Sequence, residues 1–417
     1  MASDKNILLI SYYFPPLGMG GVGRSYALYK YLPEFGYNVT VLTVRNILYP
    51  EHDFSLLDSE DEKSIIRSGS MDPSRILYRA GKRKGVSAGS GRSKAAFFYY
   101  PDSKRGWVPF ALHKAKEIVK DRRIDVVITT SPPPSAHLVG IKLKAAFGIP
   151  WVADFRDLWF SLPIESVYPT RFQIKYARNL KERIVHSADS IVAVNNSIRD
   201  YLGRGEVIMN GADADIAGEW KRGAAGDKDR FVIGILGTIN ELCPVEPLLE
   251  AVAGILPENP DLSRRLRIVH VGHCDLKVSS NLVSKYSLSD IVTLRGYLPK
   301  KEAISSLASV DLLYLSVNRF DNHDILPGRI FDYLVSGKPI LGVVPTNSDA
   351  AALLGEYNFG KTVEPEQTTE TADYILSLYE SKMTNNRKAD ECKIDISKFS
   401  TRTMAEKYAE LLGKIMK

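Results

Sequence analysis

The chain has 417 residues, more than one hydrophobic core usually supports, so two domains are expected. Hydrophobic residues make up 44% and charged residues 25%, a globular balance, and no apolar run approaches the ~18 residues that a membrane span needs. The opening MASDKNILLIS lacks the pattern of a secretory signal, and Cys243, Cys274 and Cys392 are too few and too scattered for a disulfide framework, which together predict a cytoplasmic protein.

Short β-branched runs alternate with helical periodicity, the pattern of parallel sheets covered by helices. In chain order the first strand candidate is Asn6 to Ser11, followed by the glycine-rich GMGGVGR, Gly18 to Arg24, and a helical run from Val22 to Phe35. Further strands are expected at Asn38 to Thr43, Asp125 to Thr130, Pro150 to Asp154 and Ser190 to Val194. A second series follows at Phe231 to Leu236, Arg267 to Val271, Ile291 to Leu294, Asp311 to Leu315 and Pro339 to Val344. Between the series, Gly211 to Asp229 has no sustained apolar period and reads as a connection. The predicted domains are therefore 1–205 and 230–398, joined by 206–229. Residues 399–417 end in a helix whose stripe of Met404, Tyr408, Leu411, Leu412 and Ile415 is expected to pack back on the first domain. Two facing, doubly wound Rossmann-like α/β domains bring their strand ends to a shared interdomain cleft, where the active site is expected.

Charge is uneven. The net value is +6, yet Lys63 to Arg123 holds 16 Lys or Arg against four acids. Such a zone attracts phosphates or anionic lipid head groups, or is a solvated face. It contains a Gly-, Ser- and cation-rich stretch, Gly81 to Lys94, expected as a loop, and the aromatic and basic run Ala95 to Phe110.

Gly18, Gly20, Gly21 and Gly23 let backbone N–H groups approach a phosphate at a helix N-terminus. A nicotinamide fingerprint is disfavoured, because six residues separate the strand from the first glycine and the acid expected after the second strand is replaced by Arg45. In HDILPGRIFDYLVSGKPIL a helix is expected from about Pro327 to Ser336, with N–H groups around Gly328 to Ile330, and Arg329 beside them, forming a diphosphate site. Asp332, one turn on, suits a ribose diol, and Asp324 lies in the preceding loop nearer the sugar. ADFRDLW places Asp154, Arg156 and Asp157 at a strand end, where Arg156 orients or neutralises but cannot act as a base. His270 and His273 with Cys274 suit a strand end beside a nucleotide better than a metal site, and Gly237, Gly296 and Tyr297 are further candidate nucleotide contacts.

YYFPPLGMGGVGRSYALYKYLPEFGYNVTVLT, SPPPSAHLVGIKLKAAFGIPWVADFRDLW, MNGAD and PGRIFDYLVSGKPIL, taken in order, resemble glycosyltransferase family 4 over nearly the whole chain. The resemblance implies the B-type two-domain glycosyltransferase fold, a nucleoside diphosphate sugar as donor, retention of configuration and no metal or other cofactor. That family's paired glutamates, eight positions apart, correspond to Asp324 and Asp332, and its frequent Arg and Lys after the first strand of the second domain are absent from GTINELCPVEP. Arg329 resembles the basic residue that a subgroup carries at this helix start, and many relatives place a histidine where Arg156 stands. The implied protein is a hexosyltransferase-like enzyme of polysaccharide biosynthesis acting on a saccharide acceptor. The basic aromatic zone adds a lipid-linked acceptor and peripheral contact with an anionic membrane. A nucleotide-sugar epimerase and a non-catalytic binding module are the alternatives, and a nucleic-acid partner is disfavoured because no reader motif is present.

Overall fold

The computed structural model describes residues 5–57, 61–82, 100–157, 170–223, 227–318, 326–385 and 395–416. They divide into two compact units, Met1–Asn210 with Thr401–Lys417, and Gly211–Ser400.

The first unit holds strands β1 (Lys5–Ile10), β2 (Tyr37–Val44), β3 (Ile65–Ser68), β4 (Val126–Ser131), β5 (Trp151–Phe155), β6 (Ser190–Ala193) and β7 (Glu206–Val207). They form one parallel sheet in the order β3-β2-β1-β4-β5-β6-β7. Strand order reverses between β1 and β4, so their carboxyl ends open a crevice at the switch point. β4 and β5 are buried along their whole length, which is why neither alternates polar with apolar residues. The helix Ser135–Phe147 lies so close to the sheet that a Cβ on Gly140 would sit 2.3 Å from the Trp151 ring.

The second unit holds β8 (Phe231–Leu236), β9 (Leu266–Val271), β10 (Val292–Leu294), β11 (Leu312–Ser316), β12 (Ile340–Val343) and β13 (Gly360–Val363). The sheet order is β10-β9-β8-β11-β12-β13, again parallel, with its switch point between β8 and β11. The α/β doubly wound architecture expected from the sequence is thus present in both units.

Several local expectations are corrected. Strands β3, β7 and β13 were not foreseen; each is two to four residues long and carries polar or half-buried positions, too little for a periodic signal. The expected connection 206–229 contains β7 and the helix Ala214–Arg222, because Ile216 and Trp220, one turn apart, bury at 2% exposure each. The run from Val22 is helical over Gly23–Tyr31 and tightens to a 3₁₀ turn at Leu32–Phe35, where Pro33 removes a backbone donor. The helix expected from Pro327 to Ser336 is only Arg329–Leu334. The C-terminal helix Thr401–Ile415 packs Met404, Ala405, Tyr408, Leu411 and Leu412 into the first unit's core beside Leu28 and Tyr31. No helix of the described residues is long and apolar enough to cross a membrane. From 83 to 99, the predicted loop and the first part of the aromatic run lie outside the described residues.

Candidate active site

In the second unit, Arg329 lies across the switch point. Its Nη1 donates to the carbonyls of Leu236 at 2.9 Å and Thr238 at 3.2 Å, and its Nη2 to Ser316 at 3.3 Å. The guanidinium therefore bridges the carboxyl ends of β8 and β11. Its Nε is buried without a hydrogen-bond partner among the described residues, so one donor remains uncommitted. Tyr333, on the same short helix, accepts from the Leu236 N–H at 2.8 Å and donates to the Tyr314 carbonyl at 3.1 Å, which fixes the helix against both strands.

The neighbouring strand ends are tied through glycines. Gly237 has φ +98° and donates to the Val271 carbonyl at 2.8 Å, while a Cβ on Gly272 would stand 2.1 Å from the Gly237 oxygen. Only glycine fits that approach. Gly272 in turn donates to the Gly296 carbonyl at 2.8 Å, and Ile239 to that of His273 at 3.1 Å. His270 turns its ring to this point: its Nε2 donates to the Gly237 oxygen at 2.7 Å. Burial lowers its pKa, so the ring is neutral, with Nδ1 an acceptor. Tyr297 follows Gly296 in the same loop after β10.

Two features differ from expectation. Ile330 does not offer a free N–H, since it donates to the Pro327 carbonyl at 3.0 Å, and a six-residue helix has little dipole to contribute beside exposed Gly328. Asp332 pairs with Lys300, Nζ to Oδ1 at 2.9 Å, a partner that the sequence did not signal. Asp324 lies outside the described residues.

In the first unit, Gly18 is pinned by its N–H to the Glu51 carbonyl at 2.9 Å. A Cβ on Gly20, Gly21 or Gly23 would meet nothing within 4 Å, and none of the three has a positive φ. Neither packing nor backbone conformation requires glycine there. Arg156 was expected to face an acceptor, but its donors point elsewhere: Nε to Ser131 O at 2.9 Å, Nη1 to Gly21 O at 2.5 Å and Nη2 to Pro132 O at 3.1 Å. It holds the glycine loop to the end of β4. Asp157 is exposed at the end of the same segment.

A network of buried charges beneath this loop was not among the sequence-based expectations. Arg24 is bidentate on Asp154, with Nη2 at 2.9 Å and Nε at 3.1 Å, and also meets Asn210 and the Tyr408 hydroxyl. Asp154 further accepts from Tyr408 at 2.7 Å and Thr130 at 2.7 Å. Burial pushes the Asp154 carboxyl up, but Arg24 and these donors outweigh it and hold the pKa below its ordinary value. An acid closing the apolar strand PWVAD was the available signal, since a buried acid demands a cationic partner. His137 bonds Thr129 at 2.8 Å and is depressed by burial to about 3, so it is no acid or base near neutrality. No group of three or more His, Cys, Asp or Glu able to hold a metal occurs among the described residues.

Residues 20–210 match the family model of the glycosyl transferase 4-like domain, the segment that carries the glycine loop, Arg24, Asp154 and Arg156. No curated relative matches the sequence. Among solved structures, the chain is similar to sucrose-phosphate synthase from Thermosynechococcus elongatus at TM-score 0.68 and 15% identity, covering 98% of each chain. HepE from Anabaena, in complex with UDP and glucose, aligns at TM-score 0.66 and 16% identity over 98% of this chain and 100% of that one. WaaG, a glycosyltransferase involved in lipopolysaccharide biosynthesis, aligns at TM-score 0.62 and 13% identity over 97% and 99%. At these identities the likeness establishes the fold alone, the B-type two-domain glycosyltransferase fold.

Proposed function

We propose that the protein transfers a hexose from a nucleoside diphosphate sugar to an acceptor hydroxyl, with retention of configuration and without a metal ion. The observation that carries this reading is Arg329, whose guanidinium is fixed over the ends of β8 and β11 beside the close-packed Gly237 and Gly272. Strand ends at a switch point are where open parallel sheets bind nucleotides. A cation already held by backbone carbonyls needs no reorganisation as charge develops on a departing diphosphate. In the step itself, the bond between the anomeric carbon and the phosphate oxygen breaks, the acceptor oxygen attaches on the same face, and its proton passes to the leaving phosphate. Gly20, Gly21 and Gly23, open and unexplained by packing, suit close approach of a phosphate to the backbone. Tyr297 and Gly296 suit the base, and Asp332 the ribose.

HepE's complex with UDP makes UDP-sugars the first donors to test. For the acceptor we favour a lipid-linked saccharide met at an anionic membrane surface. The support is the basic zone from Lys63 to Arg123 together with exposed Met71, Ile76, Tyr78 and Phe110 within it.

The deciding experiment is turnover of UDP-, GDP- and ADP-sugars with and without a lipid-linked saccharide extract, in EDTA, with the anomeric configuration of the product read by NMR. Transfer with retention is expected. Sugar interconversion without acceptor would instead make the protein an epimerase, and no turnover of any donor would leave it a binding module. Sedimentation with anionic vesicles, reversed by salt, is expected, and equal binding to neutral vesicles would remove the membrane reading.

A further inference from the structure

Given the transferase reading, we propose that the acceptor is an oligosaccharide rather than a single sugar, and that its chain lies along a row of aromatic rings, Tyr13, Tyr49, His52 and Phe54, leading away from the glycine loop.

Tyr13 follows β1 at the carboxyl edge of the first sheet. Its carbonyl accepts from Ser11 Oγ at 2.9 Å and Ser25 Oγ at 3.1 Å, which anchors it beside the start of the helix Gly23–Tyr31. From there ring follows ring: centroids stand 5.7 Å apart from Tyr13 to Tyr49, 6.3 Å from Tyr49 to His52 and 5.9 Å from His52 to Phe54. The strip carrying the last two rings runs antiparallel to the segment that enters the glycine loop. Leu17 bridges His52, Gly18 donates to the Glu51 carbonyl at 2.9 Å, and Asp53 donates to that of Pro16 at 2.8 Å. Exposure rises along the row, since Tyr13 and Tyr49 rest half-buried against the core whereas His52 and Phe54 are exposed.

Phe54 is held in solvent by a built turn. Buried Asp53 caps the 3₁₀ turn Phe54–Leu56, accepting from the Ser55 N–H at 3.0 Å and its hydroxyl at 2.6 Å. Leu56 of that turn packs on the core, while Phe54 stays 74% exposed and lies within 13° of parallel to His52. A contiguous row of rings, unlike one scattered side chain, marks an interaction surface. Carbohydrate matches its chemistry: the C–H bonds of a pyranose, polarised by the adjacent oxygens, lie favourably against the negative face of an aromatic ring. The spacing between rings is also close to the length of one pyranose unit. The same segment exposes Arg45, Asn46 and Ser55, which suit hydroxyl groups, whereas a lipid surface is met by a broad apolar face.

The test is a microarray of mono- to hexasaccharides followed by calorimetry of the best-bound series, with donor turnover measured separately and thermal unfolding checked for each variant. Wild type should bind the tetrasaccharide of that series more tightly than the disaccharide. Phe54→Ser should weaken the tetrasaccharide roughly three- to tenfold, the worth of one aromatic contact, and leave the disaccharide unchanged. Phe54→Trp should bind both like wild type. Phe172→Ser, which removes a ring of similar exposure on the helix Arg171–Ser187, should alter neither. Equal loss at both lengths, or no loss in folded Phe54→Ser, overturns the inference, as does a wild type that prefers no oligosaccharide to its monosaccharide. Phe54-dependent sedimentation with vesicles in place of saccharide binding overturns it in favour of a membrane contact. No donor turnover beside Phe54-dependent oligosaccharide binding overturns the transferase reading instead, and the row is then a saccharide-binding surface without transfer.

Discussion

Arg24 and Asp154 form an ion pair at 2.9 Å with side-chain exposures of 2% and 0%. Asp154 sits two residues before Arg156, whose Nη1 holds the Gly21 carbonyl, so one short segment holds both the glycine loop and the helix that follows it. Tyr408 closes the network from the C-terminal helix, tying the chain's last element to the loop near its beginning.

Removing one member of a buried pair strands the other, at a cost of about 3–5 kcal/mol. Asp154→Ala should therefore lower the free energy of urea unfolding by that order, and Tyr408→Phe by about 1.5 kcal/mol or more through a lost hydrogen bond to a charged group. Arg24→Met combined with Asp154→Leu should be less destabilised than either single variant. Additive losses would show that the pair is not the source of the effect.

Arg329→Ala should reduce kcat about 100-fold or more, as expected for loss of a fixed charge at the leaving group, while affinity for the free nucleoside changes little. Arg329→Lys should fall between, because a lysine keeps the charge but not the fork that spans Leu236, Thr238 and Ser316. Single-turnover kinetics beside nucleoside binding separate the two effects, and an unchanged kcat in folded Arg329→Ala would remove Arg329 from the site.

Gly20→Val is expected to unfold within about 0.5 kcal/mol of wild type, since its side chain enters space where nothing lies within 4 Å. Its turnover should nevertheless fall at least about tenfold, if the loop's backbone lies against a phosphate. Full activity would make these glycines a mere turn.

His137 makes a signed prediction for acid stability. Its ordinary pKa of 6.5 falls to about 3 in the folded state, because burial disfavours the imidazolium. The unfolded chain then binds one more proton between these values, so this group's contribution is complete above pH 6.5 and is lost as pH falls towards 3, at about 1.4 kcal/mol per pH unit. Unfolding free energies from pH 6 to pH 4 should fall less steeply in His137→Gln by about that slope. Identical slopes would show that the imidazole is not buried neutral.

Local chemistry determined much of this protein. Ten strands were legible because a strand buried on both faces of a parallel sheet must be apolar throughout, and the glycine loop and the cation at Arg329 were legible because each is a contiguous signal. β3, β7 and β13 were not, because short strands owe their pairing to a neighbour rather than to their own pattern. Tertiary structure alone decided where charged side chains point. Arg156 reads as a group facing a ligand, yet its donors go to backbone carbonyls, and Asp154 meets Tyr408 from 254 positions away. Asp332 likewise reads as a free carboxylate, and only the packing of a second helix brings Lys300 to it. A buried charge must find a partner, but the partner is chosen by which elements the fold sets side by side, and that choice leaves no periodic mark in the chain.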